Sequence, residues 1–328
     1  MSGRNGSSAV SRWRIWIDTG GTFTDCLALD PAGTLHRAKV LSSSALRGVV
    51  EEPLGGSRLR VREEWAAAPD LVRGFGFRLL AADHPPLRVD GYDPEKGVLR
   101  LTDPIPFAAP PGATFELISP EEAPILAARL VTRTPMGDPL PPIAMRLATT
   151  RGTNALLERK GVPTALFLTA GFADLLRIGT QQRPDLFALD IRRPEPLYHT
   201  VAEVSGRMDA DGAELSPLDL QQLTPAVDAL LGQGIRTAAV ALLHAFRDPR
   251  HEEELEAFLR LKGFQHVSRS SELAPFIKLL PRAETATLDA YLAPILQAYL
   301  AGVQGALRSP SRGRSPQTGE GGSLLVMT

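Results

Sequence analysis

Three things are missing from this chain of 328 residues: paired cysteines, an excess of either charge, and long apolar runs. A single cysteine, Cys26, excludes an intrachain disulfide framework and fits a reducing compartment, so a cytoplasmic protein is expected. Lysine plus arginine (36) nearly cancels aspartate plus glutamate (37). Nucleic acid and anionic membranes both favour a basic surface, so neither is expected as a partner. No apolar segment approaches the ~20 residues that cross a bilayer, and the polar, Gly/Ser-rich residues 1–12 carry no secretory signal. What is present is enough for a globular protein. At 43% apolar residues a sizeable core can form, and the length suits about two domains of ~100–200 residues.

Residues 1–12 read as a leader without structure. Residues 13–18 and 23–30 read as antiparallel strands; Asp30-Pro31-Ala32-Gly33 is a turn, and 34–41 makes a third strand. Residues 45–63 suit a helix interrupted by Pro53 and Gly55-Gly56. From about 64 to 142 the chain reads as a β-rich insertion, with strands near 76–80, 97–102 and 114–118 and turns at Asp90-Gly91 and 94–97. Ser119 as N-cap, Pro120 at N1 and the acids behind them open a helix.

An α/β grammar follows. Strands are expected at 143–148, 164–169, 237–244 and 265–269, with a helix at 150–160 ended by Gly161. Another helix starts at Ser216-Pro217 or Thr224-Pro225 and closes at Gly234. Asp248-Pro249 caps a helix reaching Gly263, with Leu255, Phe258 and Leu259 on one face. A long helix over 283–307 should bend near Pro294. Residues 308–322 are a low-complexity linker, and 323–328 look like the first strand of a second half that is absent. The expected divisions are therefore 13–215, an α/β continuation over 216–307, and that last strand.

The chemistry concentrates in one place, WIDTGGTFTDCLALD, residues 16–30. Bound phosphate needs inward backbone amides with no side chain in the way, which glycine provides at Gly20 and Gly21. Thr19, Thr22 and Thr24 offer hydroxyls, while Asp18 and Asp25 could hold Mg²⁺ through its water shell. The pattern is neither a strand-to-helix P-loop nor a dinucleotide fingerprint. A plain Gly-Gly hairpin turn remains the competing explanation.

These residues resemble the first phosphate loop of the actin-like ATPase superfamily, and more closely the amino-terminal region of the hydantoinase A/5-oxoprolinase family. MRLATTRGTNALLERKG (145–161), TAGFADLLRIGTQQRPDLFALDIRRPEPLY (169–198), ALLHAFRDPRHE (241–252) and SSELAPFIKLLPRAETATLDAYLAPIL (270–296) extend the likeness from Trp13 to Thr328. Within the family, ATTRGTNA and APFIKLLPR look most like ATP-dependent 5-oxoprolinases.

The resemblance implies an α/β fold: the first half of an actin-like, ribonuclease H-like ATPase core with a β-rich insertion, truncated before its second half. It implies ATP and Mg²⁺ as cofactors and a small cyclic amide as substrate, phosphorylated on its carbonyl and then opened by water. For 5-oxoproline the product is glutamate. Asp18 is expected to face the metal, Asp25 to orient water or Mg²⁺ as the catalytic residue, and Thr19, Gly20, Gly21, Thr22 and Thr24 to hold phosphate. Arg151, Thr153 and Asn154, at a strand-to-helix junction, and Arg183, in a polar loop, are candidate substrate contacts. Their plainer roles are helix capping and surface ion pairs. The histidines are too scattered for a metal site, and Cys26 is expected to be buried and inert. Without a second phosphate motif the chain alone is expected to be inactive. Two other readings stay open: the ATPase subunit of an N-methylhydantoinase-type amidohydrolase, and a non-catalytic interaction module. Assembly as a homo-oligomer or with a partner subunit is likewise open.

Overall fold

The computed structural model describes residues 12–65, 68, 70–180, 187, 194–308 and 322–327. The chain begins with β1 (Trp13–Thr19), β2 (Phe23–Leu29), β3 (Leu35–Leu41), β4 (Ala45–Gly55) and β5 (Arg58–Glu63). Then come β6 (Gly76–Leu79), β7 (Leu87–Asp93), β8 (Val98–Leu101), β9 (Thr114–Ile118), α1 (Ala123–Thr132), β10 (Ile143–Thr149) and α2 (Arg151–Leu157). Next are β11 (Thr164–Thr169), α3 (Leu175–Ile178), β12 (Thr200–Val204), β13 (Arg207–Met208), β14 (Glu214–Ser216), α4 (Leu220–Gly232) and β15 (Thr237–Ala241). The last elements are α5 (Arg250–Lys262), β16 (His266–Arg269), α6 (Ser270–Leu273), α7 (Leu279–Arg308) and β17 (Ser323–Val326). They form two compact units, Met1–Asn154 with Ala298–Thr328, and Ala155–Gln297. The boundary expected at 215/216 falls inside β14, within the second unit.

The first unit is built on the strand order β3-β2-β1-β10-β17, antiparallel through β1 and parallel from β1 to β17. This is the five-stranded core of the expected ribonuclease H-like half. Alternation in the sequence sets its inner face: Ile15, Ile17, Cys26, Ala28 and Val40 are all buried. They share one core with α1 residues such as Leu126 and with Tyr299, Val303 and Leu307 from the end of α7. Burial pushes the Cys26 thiol up to about 12, which makes it the inert group expected of it. The sequence at 323–328 suits either the first strand of a second half or a short edge strand completing this one. Ser323–Val326 lies parallel to β10 at the edge of this unit's own sheet, the second of those arrangements.

Beyond β3 the sheet continues β4-β5-β8-β7-β6-β9, and a further pairing of β4 with β9 closes these six strands into a barrel. Closure removes the free edges that a short sheet would expose. The barrel therefore begins at Ala45, ahead of the insertion expected from about 64. The helix expected over 45–63 is a β4–β5 hairpin: Gly55 and Gly56 take φ of +86° and +61° at its turn, which opposes a helix and suits a reversal. Asp90-Gly91 is no turn but the bulged centre of β7. Phe77 and Phe115 stack at 5.3 Å in the interior. A Cβ on Gly48 would lie 2.5 Å from the Phe115 ring, so this position admits no side chain. Ser119 does not cap α1; Glu122 is its N-cap residue, and the Ser119 hydroxyl accepts from the Glu121 amide at 3.1 Å.

The second unit holds a four-stranded parallel sheet, β12-β11-β15-β16, fully buried along β11 and β15. One core joins it to α4 and α5 through Leu223, Val227, Leu255 and Leu259; Leu255 and Leu259 lie inward as their helical spacing predicts, and Phe258 is partly buried beside them. A second core packs Leu279, Ala283, Ala286 and Ala290 of α7 against Leu166 and Ala239. Helix α4 starts at neither proposed cap: Asp219 accepts from the Gln221 and Gln222 amides, and Pro225 is carried inside the helix. Among the described residues, no helix is long and apolar enough to cross a membrane.

Candidate functional site

The hairpin between β1 and β2 places the motif at the carboxyl end of β1, beside the start of α2. Register pairs Asp18 with Asp25 and Thr19 with Thr24 across the two strands. The pleat then separates the pairs: both carboxylates lie on the exposed face, and both threonines on the buried one. Thr19 stands 3.3 Å from the Tyr299 hydroxyl and Thr24 3.1 Å from that of Ser42. These two hydroxyls are spent on internal bonds here, which leaves Thr22, exposed at the tip, as the free hydroxyl of the set.

The tip is held from below. The Gly20 amide donates to the Phe23 carbonyl at 3.0 Å, the Ser42 amide to the Thr22 carbonyl at 2.9 Å, and the Ser42 hydroxyl to the Gly20 carbonyl at 2.8 Å. With carbonyls turned inward and pinned, the Gly21 and Thr22 amides have no protein acceptor among the described residues. Neither glycine has a positive φ, so this is not a Gly-Gly turn of the primed types. What glycine supplies is the missing side chain: a Cβ at Gly20 would crowd the Phe23 carbonyl at 3.3 Å, and one at Gly21 would lie 3.5 Å from the Asn154 amide nitrogen.

A second segment braces the hairpin. The Thr150 amide donates to the Thr19 carbonyl at 3.0 Å, and Asn154 donates to the Thr150 hydroxyl at 3.1 Å. Arg151 lies 4.7 Å above the Tyr299 ring and 3.4 Å from Glu122. Tyr299 is 2% exposed; burial holds its phenol above the usual tyrosine range, opposed by its bonds to Thr19 and Thr149. Thr153 is exposed on the first turn of α2, and Asn154 is half-buried. Arg183 lies outside the described residues. Ser42, Thr150, Glu122 and Tyr299 were not foreseen. Only Thr150 sat inside a quoted motif; the other three come from distant segments with no local signature.

The residues fit the cofactors expected. Among the described residues no three carboxylate, histidine or cysteine side chains gather to enclose a metal. Mg²⁺ commonly needs only one or two carboxylates, its remaining places going to water and phosphate. Asp18 and Asp25 supply such a pair, with Asp25 3.2 Å from Lys39.

Comparison with known proteins identifies the family. The family model described as "Hydantoinase/oxoprolinase N-terminal region" matches residues 14–64 and 114–263, stepping over β6, β7 and β8 of the barrel. 5-Oxoprolinase 1 of Arabidopsis thaliana is 43% identical over 177 residues, 48% of this chain and 14% of that protein. The caprolactamase subunit alpha of Pseudomonas jessenii is 31% identical over 158 residues, 46% of this chain and 23% of that one. The chain thus matches less than a quarter of either relative's length. Among solved structures, a nucleotide-free acetone carboxylase has a TM-score of 0.56 at 17% identity, over 89% of this chain and 34% of that one, a likeness of fold alone.

Proposed function

Because this chain belongs to the hydantoinase/oxoprolinase N-terminal family, we propose that it is the amino-terminal part of an ATP-dependent cyclic-amide hydrolase of the 5-oxoprolinase type, working in the cytoplasm. The observation that carries this reading is the tip of the first hairpin, where the Gly21 and Thr22 amides have no protein acceptor among the described residues and Gly20 and Gly21 bring no Cβ. A lactam is a poor electrophile with a poor leaving group; ATP with Mg²⁺ supplies a phosphoryl group that makes its oxygen leave and couples ring opening to nucleotide cleavage.

This chain's part is to bind and orient. The Gly21 and Thr22 amides and the Thr22 hydroxyl donate to phosphate oxygens, at a place fixed by Ser42 and Thr150 before the ligand arrives. Asp18 and Asp25 would hold Mg²⁺ through its water shell, and Asp25 is the residue we assign to directing water. Thr19 and Thr24 support the loop from inside rather than touching phosphate in the arrangement seen here. Arg151, Thr153, Asn154 and Arg183 are assigned to the substrate. Substrates of the type named for the caprolactamase relative favour a second reading, an ATPase subunit acting on a different lactam with a partner chain.

The test is backbone NMR of the whole chain titrated with ATP and Mg²⁺. Gly21 and Thr22 amide resonances should move first, and Gly21→Val should abolish the movement without unfolding the chain. Unmoved resonances at both residues under millimolar nucleotide would remove the phosphate reading. ADP release from ATP plus 5-oxoproline by the chain alone should stay at background; robust turnover would show that this half suffices.

A further inference from the structure

Strand β3 is paired along one edge only. Leu35–Leu41 matches β2 residue for residue, but toward β4 only Leu41 finds a partner, Ala45. Strand β4 then leaves to pair with β5 and β9 in the barrel. Among the described residues, the outward amides and carbonyls of residues 35–40 meet no other backbone. Such an edge is a template for one more strand.

This edge does not open onto bare solvent. It borders a cleft of about 540 Å³ lined also by the aromatic rings of Phe23 and Trp65 and by Leu130 and Val131 from the end of α1. Phe23 is 45% exposed, and the Lys39 ammonium of β3 lies 4.8 Å from the centre of its ring. Charge in the cleft is one-sided: Arg37, Lys39, Arg47 and Arg133 against Glu64. Lys39 and Arg47 are engaged by Asp25 and Glu116. Arg37 and Arg133 are exposed and have no ion pair among the described residues.

We propose that the cleft along β3 receives an extended, acidic polypeptide segment, added to the sheet as a strand beside β3. Main-chain bonds to residues 35–40 would supply affinity, apolar side chains would enter between Trp65 and Leu130, and carboxylates would meet Arg37 and Arg133. Charged residues on an edge strand also serve to keep sheets apart. Here the same cations choose among incoming strands, rejecting basic ones and admitting acidic ones, and the aromatic-lined cleft gives the admitted strand somewhere to bury its other face. The proposal is independent of the phosphate reading, since neither Arg37 nor Arg133 belongs to that site.

The experiment uses the whole chain and a fluorescent nine-residue peptide alternating glutamate and valine, with a lysine/valine peptide of equal length as its counterpart. Anisotropy should show the acidic peptide binding at least tenfold more tightly at 50 mM salt. Hydrogen exchange should slow at the amides of residues 35–40 on binding. Arg37→Glu with Arg133→Glu should weaken binding at least tenfold while the melting temperature holds. Should that variant fail to fold, N-methylation of alternate peptide amides serves instead, and it too should cost at least tenfold. Equal affinity for the two peptides, protection confined to other segments, or indifference to both the charge reversal and the N-methylation would overturn the proposal.

Discussion

At the scale of single residues, several positions have roles that their type only half suggests. Gly161 was expected to end a helix, yet α2 stops at Leu157 and Gly161 has no positive φ. Its reason is contact: a Cβ there would lie 2.1 Å from the Tyr291 ring. Gly161→Ala should therefore destabilise the second unit by about 1–3 kcal/mol, the usual cost of overpacking, and urea unfolding would measure it. Tyr299 is a second case. Its hydroxyl is buried against Thr19, so Tyr299→Phe should cost about 1 kcal/mol and leave Thr19 short of a partner. Burial also keeps this phenol protonated to higher pH than an exposed tyrosine. An absorbance titration should therefore show one late-ionising tyrosine fewer in the variant. Cys26, with its thiol raised to about 12 and 2% exposed, should not react with a disulfide reagent at pH 8 until the chain unfolds.

Among the elements, the barrel most needs a physical account, because its strands are short and rich in arginine. Its interior is filled by side chains from alternate positions, and its outer wall is tied by Glu116. That buried carboxylate accepts from Arg47 at 2.7 Å and from Arg78 at 2.6 Å, linking β4, β9 and β6. Desolvation alone would raise its pKa, but the two guanidinium bonds outweigh burial and leave it lowered. A lowered folded value means that this stabilisation is present above the unfolded carboxyl range and is lost as pH falls through the folded value. Glu116→Gln should thus lower stability by about 1–3 kcal/mol at pH 7, with the difference from the parent shrinking in acid. Chemical denaturation at pH 7 and below pH 4 would check both halves of that statement; a pH-independent difference would count against it. The hairpin of β1 and β2 is held in another way, by donors from Ser42 and Thr150 to its inward carbonyls.

For the whole molecule, each unit has its own core, and damage should stay local at first. Phe167 is fully buried in the second unit's sheet and meets Phe264 edge-on at 6.1 Å. Phe167→Ala should cost about 3–5 kcal/mol and strip amide protection from residues 155–297 before the β1–β3 sheet, as read by hydrogen exchange. Much of this organisation is legible in the sequence. Alternation in WRIWIDT and FTDCLAL gave the first strands their places, because a period of two has one buried solution on a half-covered sheet. Three strands of the second unit's sheet, β11, β15 and β16, were likewise evident, but β12 was not, because it lies in the polar stretch 171–215 that reads as loop. The candidate loop could be located from its glycines and hydroxyls, since a hairpin tip built from such residues stands out locally. Closure of the barrel could not be foreseen: it rests on β4 meeting β9, with Ala45 opposite Ile118 and Val49 opposite Thr114, and pairing between distant strands leaves no mark in either one's pattern. The same holds for β17 at the edge of β10, and for the sorting of Asp18 and Asp25 from Thr19 and Thr24 by the pleat. Sequence alone determined where the first strands lie and which glycines and hydroxyls crowd the turn between them, through local periodicity and residue type. Only the tertiary structure decided which of them face solvent and which brace the loop, because that depends on contacts between segments far apart in the chain.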